Sequence, residues 1–109
     1  MNYLSTATVL LLTSISLNAN ASSSVAGNVT KVGCHINSNM CFAYVDVPIN
    51  TSCIHNDGSL RWDGVATINS DKVYSTLLAA QSSGKKVVFG GAGIDCYQGF
   101  PSFKWVLIE

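Results

Sequence analysis

The sequence predicts a mostly β domain of five strands, with a single helix between the third and the fourth. Three observations carry this expectation. Apolar and polar residues alternate over several short runs, the period of a half-buried strand. One stretch, from near Asp71 to Ser83, changes to helical spacing. Four cysteines, an even number in a 109-residue chain, offer covalent staples for a thin core.

Residues 1–21 read as a signal peptide ahead of that domain. Val9, Leu10, Leu11, Leu12, Ile15 and Leu17 make a short apolar region, and Ala19-Asn20-Ala21 sets small residues at a cleavage site. The leading Met1-Asn2-Tyr3 carries no Lys or Arg. The apolar run falls far short of the roughly 20 residues that span a bilayer, so no membrane anchor is expected. A secreted or periplasmic domain over residues 22–109 follows, delivered to an oxidising compartment. Its six basic and six acidic side chains cancel. A neutral surface lacks the electrostatic footprint that phosphate backbones require, and nucleic acid is disfavoured as a partner.

Within the domain, Val32, Cys34 and Ile36 alternate with Lys31, Gly33 and His35, giving a first strand over Val29–Ile36. Asn37-Ser38-Asn39 is turn chemistry. Met40 to Val47, rich in aromatic and β-branched residues and stopped by Pro48, completes a hairpin. A polar loop from Pro48 to Gly58 is tied down by Cys53. In the third strand Leu60, Trp62, Ala66 and Ile68 share the apolar face, opposite Arg61, Asp63 and Thr67, with a bend at Gly64. Asn69-Ser70-Asp71 then offers helix-capping side chains. Val73, Leu77 and Ala80, with Tyr74 and Leu78 beside them, form the helix stripe, and Gly84 lies just past its end. Lys85–Phe89 returns to strand. Gly90-Gly91-Ala92-Gly93 opens a long loop through Pro101. The last strand, Ser102–Glu109, sets Phe103, Trp105 and Leu107 against Lys104, Val106 and Ile108. Trp62 and Trp105 are both expected in the core.

Cys34, Cys41, Cys53 and Cys96 allow three pairings. Cys34–Cys41 across the first hairpin with Cys53–Cys96 closing a long loop is the favoured set. On the chain-entropy account these contribute up to ~2 and ~4 kcal/mol. Zinc is the competing use, with His35 and His55 as further ligands. The spacings match no common structural zinc site, and no Cys-x-x-Cys pair occurs.

The order β-β-β-α-β-β is that of the OB-fold, a small Greek-key barrel whose ligands bind on the strand 2–3 face and the loops joining strands 1–2 and 4–5. Those loops here hold Asn37 and Asn39, then Asp95, Tyr97, Gln98 and Phe100. Amides and carboxylates beside aromatic rings suit a sugar, whose hydroxyls need hydrogen bonds and whose C–H faces stack on rings. The alternative role for Tyr97 and Phe100 is to cover the disulfide and the barrel mouth.

Tyr74-Ser75-Thr76-Leu77-Leu78-Ala79-Ala80, then Gly84-Lys85-Lys86-Val87-Val88, Gly91-Ala92-Gly93 and Cys96, resemble a class of small uncharacterised exported bacterial proteins. The resemblance runs over about Val29–Ile108 and implies Cys53–Cys96 as the shared staple. More distantly, in the helix-to-strand segment alone, the layout resembles the OB-fold binding subunits of AB-type bacterial toxins of the subtilase-cytotoxin and pertussis-like group. That likeness implies a glycan-binding homo-oligomer.

Catalysis finds little footing. His35 should point outward from its strand and His55 sits in a polar loop. No Gly-x-Ser-x-Gly elbow occurs, and oxidised cysteines cannot attack. Asp46, Asp57, Asp63, Asp71 and Asp95 are scattered, without the facing pair that a glycosidase needs. The glycine run lacks the following helix and Lys-Ser/Thr of a phosphate loop. No cofactor or metal is expected. The leading expectation is a non-enzymatic exported binding module, possible partners being a glycan or another exported protein. A periplasmic protein-binding or inhibitor domain comes second and a small hydrolase last.

Overall fold

The computed structural model describes residues 23–109; the expected signal peptide, residues 1–21, lies outside them. Its strands are β1 (Ser24–Gly27), β2 (Val29–Cys34), β3 (Met40–Val45), β4 (Ser59–Asp63), β5 (Val87–Gly90), β6 (Cys96–Tyr97), β7 (Phe100–Pro101) and β8 (Trp105–Ile108). A single helix, α1 (Ser70–Ser83), lies between β4 and β5. The strands form three antiparallel sheets, β1-β5-β8, β2-β3-β4 and the small pair β6-β7. The mostly β character and the lone helix match the sequence; the five-stranded closed barrel does not. Among the described residues eight strands stand where five were expected, and no hydrogen-bonded ladder closes the ring.

The two larger sheets are nevertheless one structure. The chain leaves β1 and enters β2 through Asn28, so the sheets meet at a corner made by a single run of backbone. Asp46 clamps that corner, accepting the Asn28 backbone N–H at 2.8 Å and its side-chain amide at 3.3 Å. The result is a curved ribbon, β8-β5-β1/β2-β3-β4, whose terminal strands β8 and β4 share no ladder. Between those ends lies an open seam.

The ribbon curls around Leu60, Val87 and Phe89, all fully buried, with Leu77 and Ala80 of α1 set against them. Trp62 and Phe89 each meet Phe103 edge to face, with ring centroids 5.5 and 5.0 Å apart. The helix begins differently from its sequence signals. Ser70, the first helical residue, points inward and accepts the Trp62 indole N–H at 3.1 Å, while Asn69 makes no side-chain cap. Its end follows them: Gly84 takes the left-handed conformation, φ 70°, and its N–H reaches the Ala80 carbonyl.

Two disulfides close, Cys34–Cys41 across the β2–β3 hairpin and Cys53–Cys96 between the two long loops. Four sequence expectations need correction. β1 is an added strand, unexpected because Ser-Val-Ala-Gly carries one large apolar side chain. Ile36 lies past the end of β2 and is fully exposed. The strand holding Trp62 stops at Asp63, whose Oδ1 accepts the N–H groups of Val65 and Ala66 at 2.8 and 2.7 Å. That turn reverses the chain, so Ala66 and Ile68 face solvent rather than core. Trp105, expected inside, is 51% exposed. Here Gly90 pairs with Trp105 while its carbonyl also accepts the Lys104 N–H at 2.8 Å. Two residues thus face one, and the doubling shifts the alternation: Phe103 turns inward and Trp105 outward.

Candidate binding cleft at the open seam

The seam between β4 and β8 opens into a cleft of about 240 Å³. Trp62 and Phe103 form its floor. Asp63 comes from the end of β4, Asp95 and Tyr97 from around β6, and Lys104 and Trp105 from the start of β8. Trp105 is the dominant apolar surface. Its ring lies flat across Gly90, where any Cβ would overlap it, so the glycine supports the indole as a shelf. Trp105 as a whole remains half exposed and lines the cleft.

The polar groups are held in place. Asp95 and Lys104 pair at 2.9 Å, both largely exposed. The Cys53–Cys96 bridge fixes the residue between Asp95 and Tyr97. Backbone N–H donors from Ala66 and Val65, with smaller help from the Asn39 and Tyr97 side chains, hold the Asp63 carboxyl below its ordinary value. Asp63 therefore stays ionised below the pH at which an ordinary aspartate protonates, an acceptor at the cleft wall.

The structure divides the six residues proposed from sequence. Asp95 and Tyr97 line the cleft. Asn39 approaches it through Asp63. Gln98 caps the β6–β7 hairpin with φ 49°, its amide donating to the Tyr97 hydroxyl at 3.4 Å. Asn37 is exposed on the β2–β3 turn and reaches none of these. Phe100 lies elsewhere, on the outer face of sheet β2-β3-β4, with its ring centroid 3.8 Å from the Arg61 guanidinium and 4.8 Å from His55.

That outer face carries Phe42, Tyr44 and Arg61, alternating with the core residues Cys41, Ala43 and Leu60. Arg61 is buried, and four of its five N–H donors are engaged. It donates to Ser59 Oγ at 2.9 Å, Met40 Sδ at 3.1 Å, the Tyr44 hydroxyl at 3.1 Å and Asp57 at 2.9 Å. Partial burial opposes ionisation of Asp57, but the Ser59 hydroxyl, the Tyr44 phenol and Arg61 outweigh it and its carboxyl titrates low. Burial, together with the Asp57 carboxylate it donates to, pushes the Tyr44 phenol up.

Sequence reasoning missed Asp63, Lys104 and Trp105 as cleft residues. The available signal was Gly90 and Gly91 facing Lys104 and Trp105, small residues that admit a large ring and a long chain at close approach. Among the described residues no group of three His, Cys, Asp or Glu is placed to hold a metal ion, and no helix is long and apolar enough to cross a membrane. No family model, curated protein or solved structure is significantly similar to the chain.

Proposed function

We propose that this protein is an exported, non-enzymatic binding module that takes a glycan in the seam cleft. One observation carries the reading: a half-exposed Trp105 ring, supported from beneath by Gly90, stands beside Tyr97 and the carboxylates of Asp63 and Asp95. An apolar plane with acceptors at its edge fits a sugar ring, whose axial C–H groups stack while its hydroxyls donate. The two disulfides support an oxidising destination. An opened OB-like barrel is consistent with the ribbon, since β1 and β2 read together as one bent first strand, followed by β3, β4, β5 and β8.

The test is retention of the disulfide-bonded protein on a broad set of immobilised glycans, repeated with Trp105→Ala. Binding of at least one glycan class is expected, weakened at least about tenfold by the substitution, a change worth about 1.4 kcal/mol. Losing the buried half of the ring costs about 1–3 kcal/mol of stability, so the two proteins are compared at a temperature where both are folded. Retention of no glycan, or equal binding by Trp105→Ala, sinks the reading. Assembly into a ring of copies, as the toxin-subunit likeness implies, is tested by native mass spectrometry; a monomer rejects it. The second reading, a domain that docks on another exported protein, draws on the free edge of β8.

A further inference from the structure

Among the described residues sheet β1-β5-β8 ends at β8, and the register leaves that strand's outer edge without a backbone partner. Glu109 donates to the Lys86 carbonyl at 2.9 Å, which makes Lys86 and Glu109 a hydrogen-bonded pair. Antiparallel ladders alternate such pairs, so Leu107 and Trp105 also bond toward β5. The N–H and C=O groups of Val106 and Ile108 point the other way. The corresponding edge of β2 is treated differently: α1 lies along it, and Gln81 donates to the Thr30 carbonyl at 2.9 Å. At β8 the helix packs against the strand too, but among the described residues none of its side chains bonds to the strand edge, and a groove of about 390 Å³ has Val106 and Trp105 on one side and Ile68, Lys72, Val73 and Thr76 on the other. Ile68 is almost wholly exposed there. An unprotected apolar strand edge beside a groove is a template for strand pairing.

Charge selects the occupant. The groove is lined by two cations, Lys72 and Lys104, and by no carboxylate. Lys104 is engaged with Asp95, whereas neither described ion pair, Arg61–Asp57 or Lys104–Asp95, involves Lys72. We propose that the groove between α1 and β8 receives an extended segment of a partner protein, added as a strand to the free edge of β8, with an acidic side chain set against Lys72. Main-chain bonds to Val106 and Ile108 supply affinity, alternate apolar side chains of the segment cover Val106 and Ile68, and the acidic residue fixes its register.

A random heptapeptide display library panned against the disulfide-bonded protein tests this. Enriched sequences should alternate apolar residues and carry at least one Asp or Glu. A synthetic enriched peptide should slow hydrogen exchange at the Val106 and Ile108 amides. Lys72→Glu, an exposed substitution that leaves the core untouched, should weaken that peptide at least tenfold. Ile108→Pro removes one outward N–H and should weaken it as well. Lys72 does not line the cleft assigned to glycan, so loss of the peptide is separable from loss of sugar. Failure to enrich any peptide, enrichment without protection of β8 amides, or undiminished binding by Lys72→Glu would overturn the proposal.

Discussion

Two clusters of rings and charges flank β4, and they differ in what covers what. On the outer face of sheet β2-β3-β4, Phe100 lies over Arg61, and the guanidinium spends its donors on Ser59, Met40, Tyr44 and Asp57. At the seam, Trp105 has Gly90 beneath it and little above. A buried guanidinium must be satisfied from within, because an unpaired one costs several kcal/mol. An exposed indole carries no such demand and keeps a face for a visitor. Residue types alone do not separate a strut from a receptor; saturation does.

The sharpest way to break that contrast is Arg61→Ala. It removes the cation from under Phe100, takes the guanidinium donor from Tyr44, and leaves Asp57 with Ser59 and Tyr44 but without its counter-charge. A loss of about 2–3 kcal/mol is expected, discounted because Asp57 remains partly in water. Urea unfolding measures it; a loss below about 1 kcal/mol would mean that the platform is ornamental. Gly90→Ala comes next. Its methyl group would occupy the space of the indole ring, and overpacking of this kind costs about 1–3 kcal/mol. Glycan retention should fall with it, because the ring is lifted from its shelf. Unchanged binding would show that the ring's placement does not matter.

The smallest effect is in acid. Asp57 and Asp63 both titrate below their ordinary value of 3.8, so each stabilises the fold at pH values above that figure. The contribution disappears as pH falls through the lower, folded values. Asp63→Asn should flatten the decline in unfolding free energy as pH falls below about 4, since its amide oxygen still accepts the turn bonds without titrating. An unaltered slope would assign the acid sensitivity to other groups. Tyr44, pushed up, acts at the opposite end: its stabilisation holds below pH 10 and fades above it.

Local chemistry was legible in the sequence wherever one residue type suffices. Gly84 ends α1, Asn37-Ser38-Asn39 turns the first hairpin, and the cysteines pair as expected. What escaped were changes of parity. The alternation through Gly64 continues in Ala66 and Ile68 as though the strand did, yet Asp63 gathers two backbone N–H groups and turns the chain away. Trp105 fits an inward register until Gly90 faces two residues at once. Such a bulge depends on the opposite strand, which a reading along one segment does not include. The cleft was half legible for the same reason. Asp95 and Tyr97 belong to a loop that can be named in advance, whereas Asp63 and Trp105 meet them only through the seam.

The two bridges also differ in when they can form. Cys34 and Cys41 are seven residues apart, and both are brought together as soon as the first hairpin forms. Cys53 must wait for Cys96, 43 residues later. Once the short loop has closed, the two remaining thiols have only each other to pair with. Early closure of the short loop thereby removes the mispaired isomers that would otherwise have to be sorted out by reshuffling.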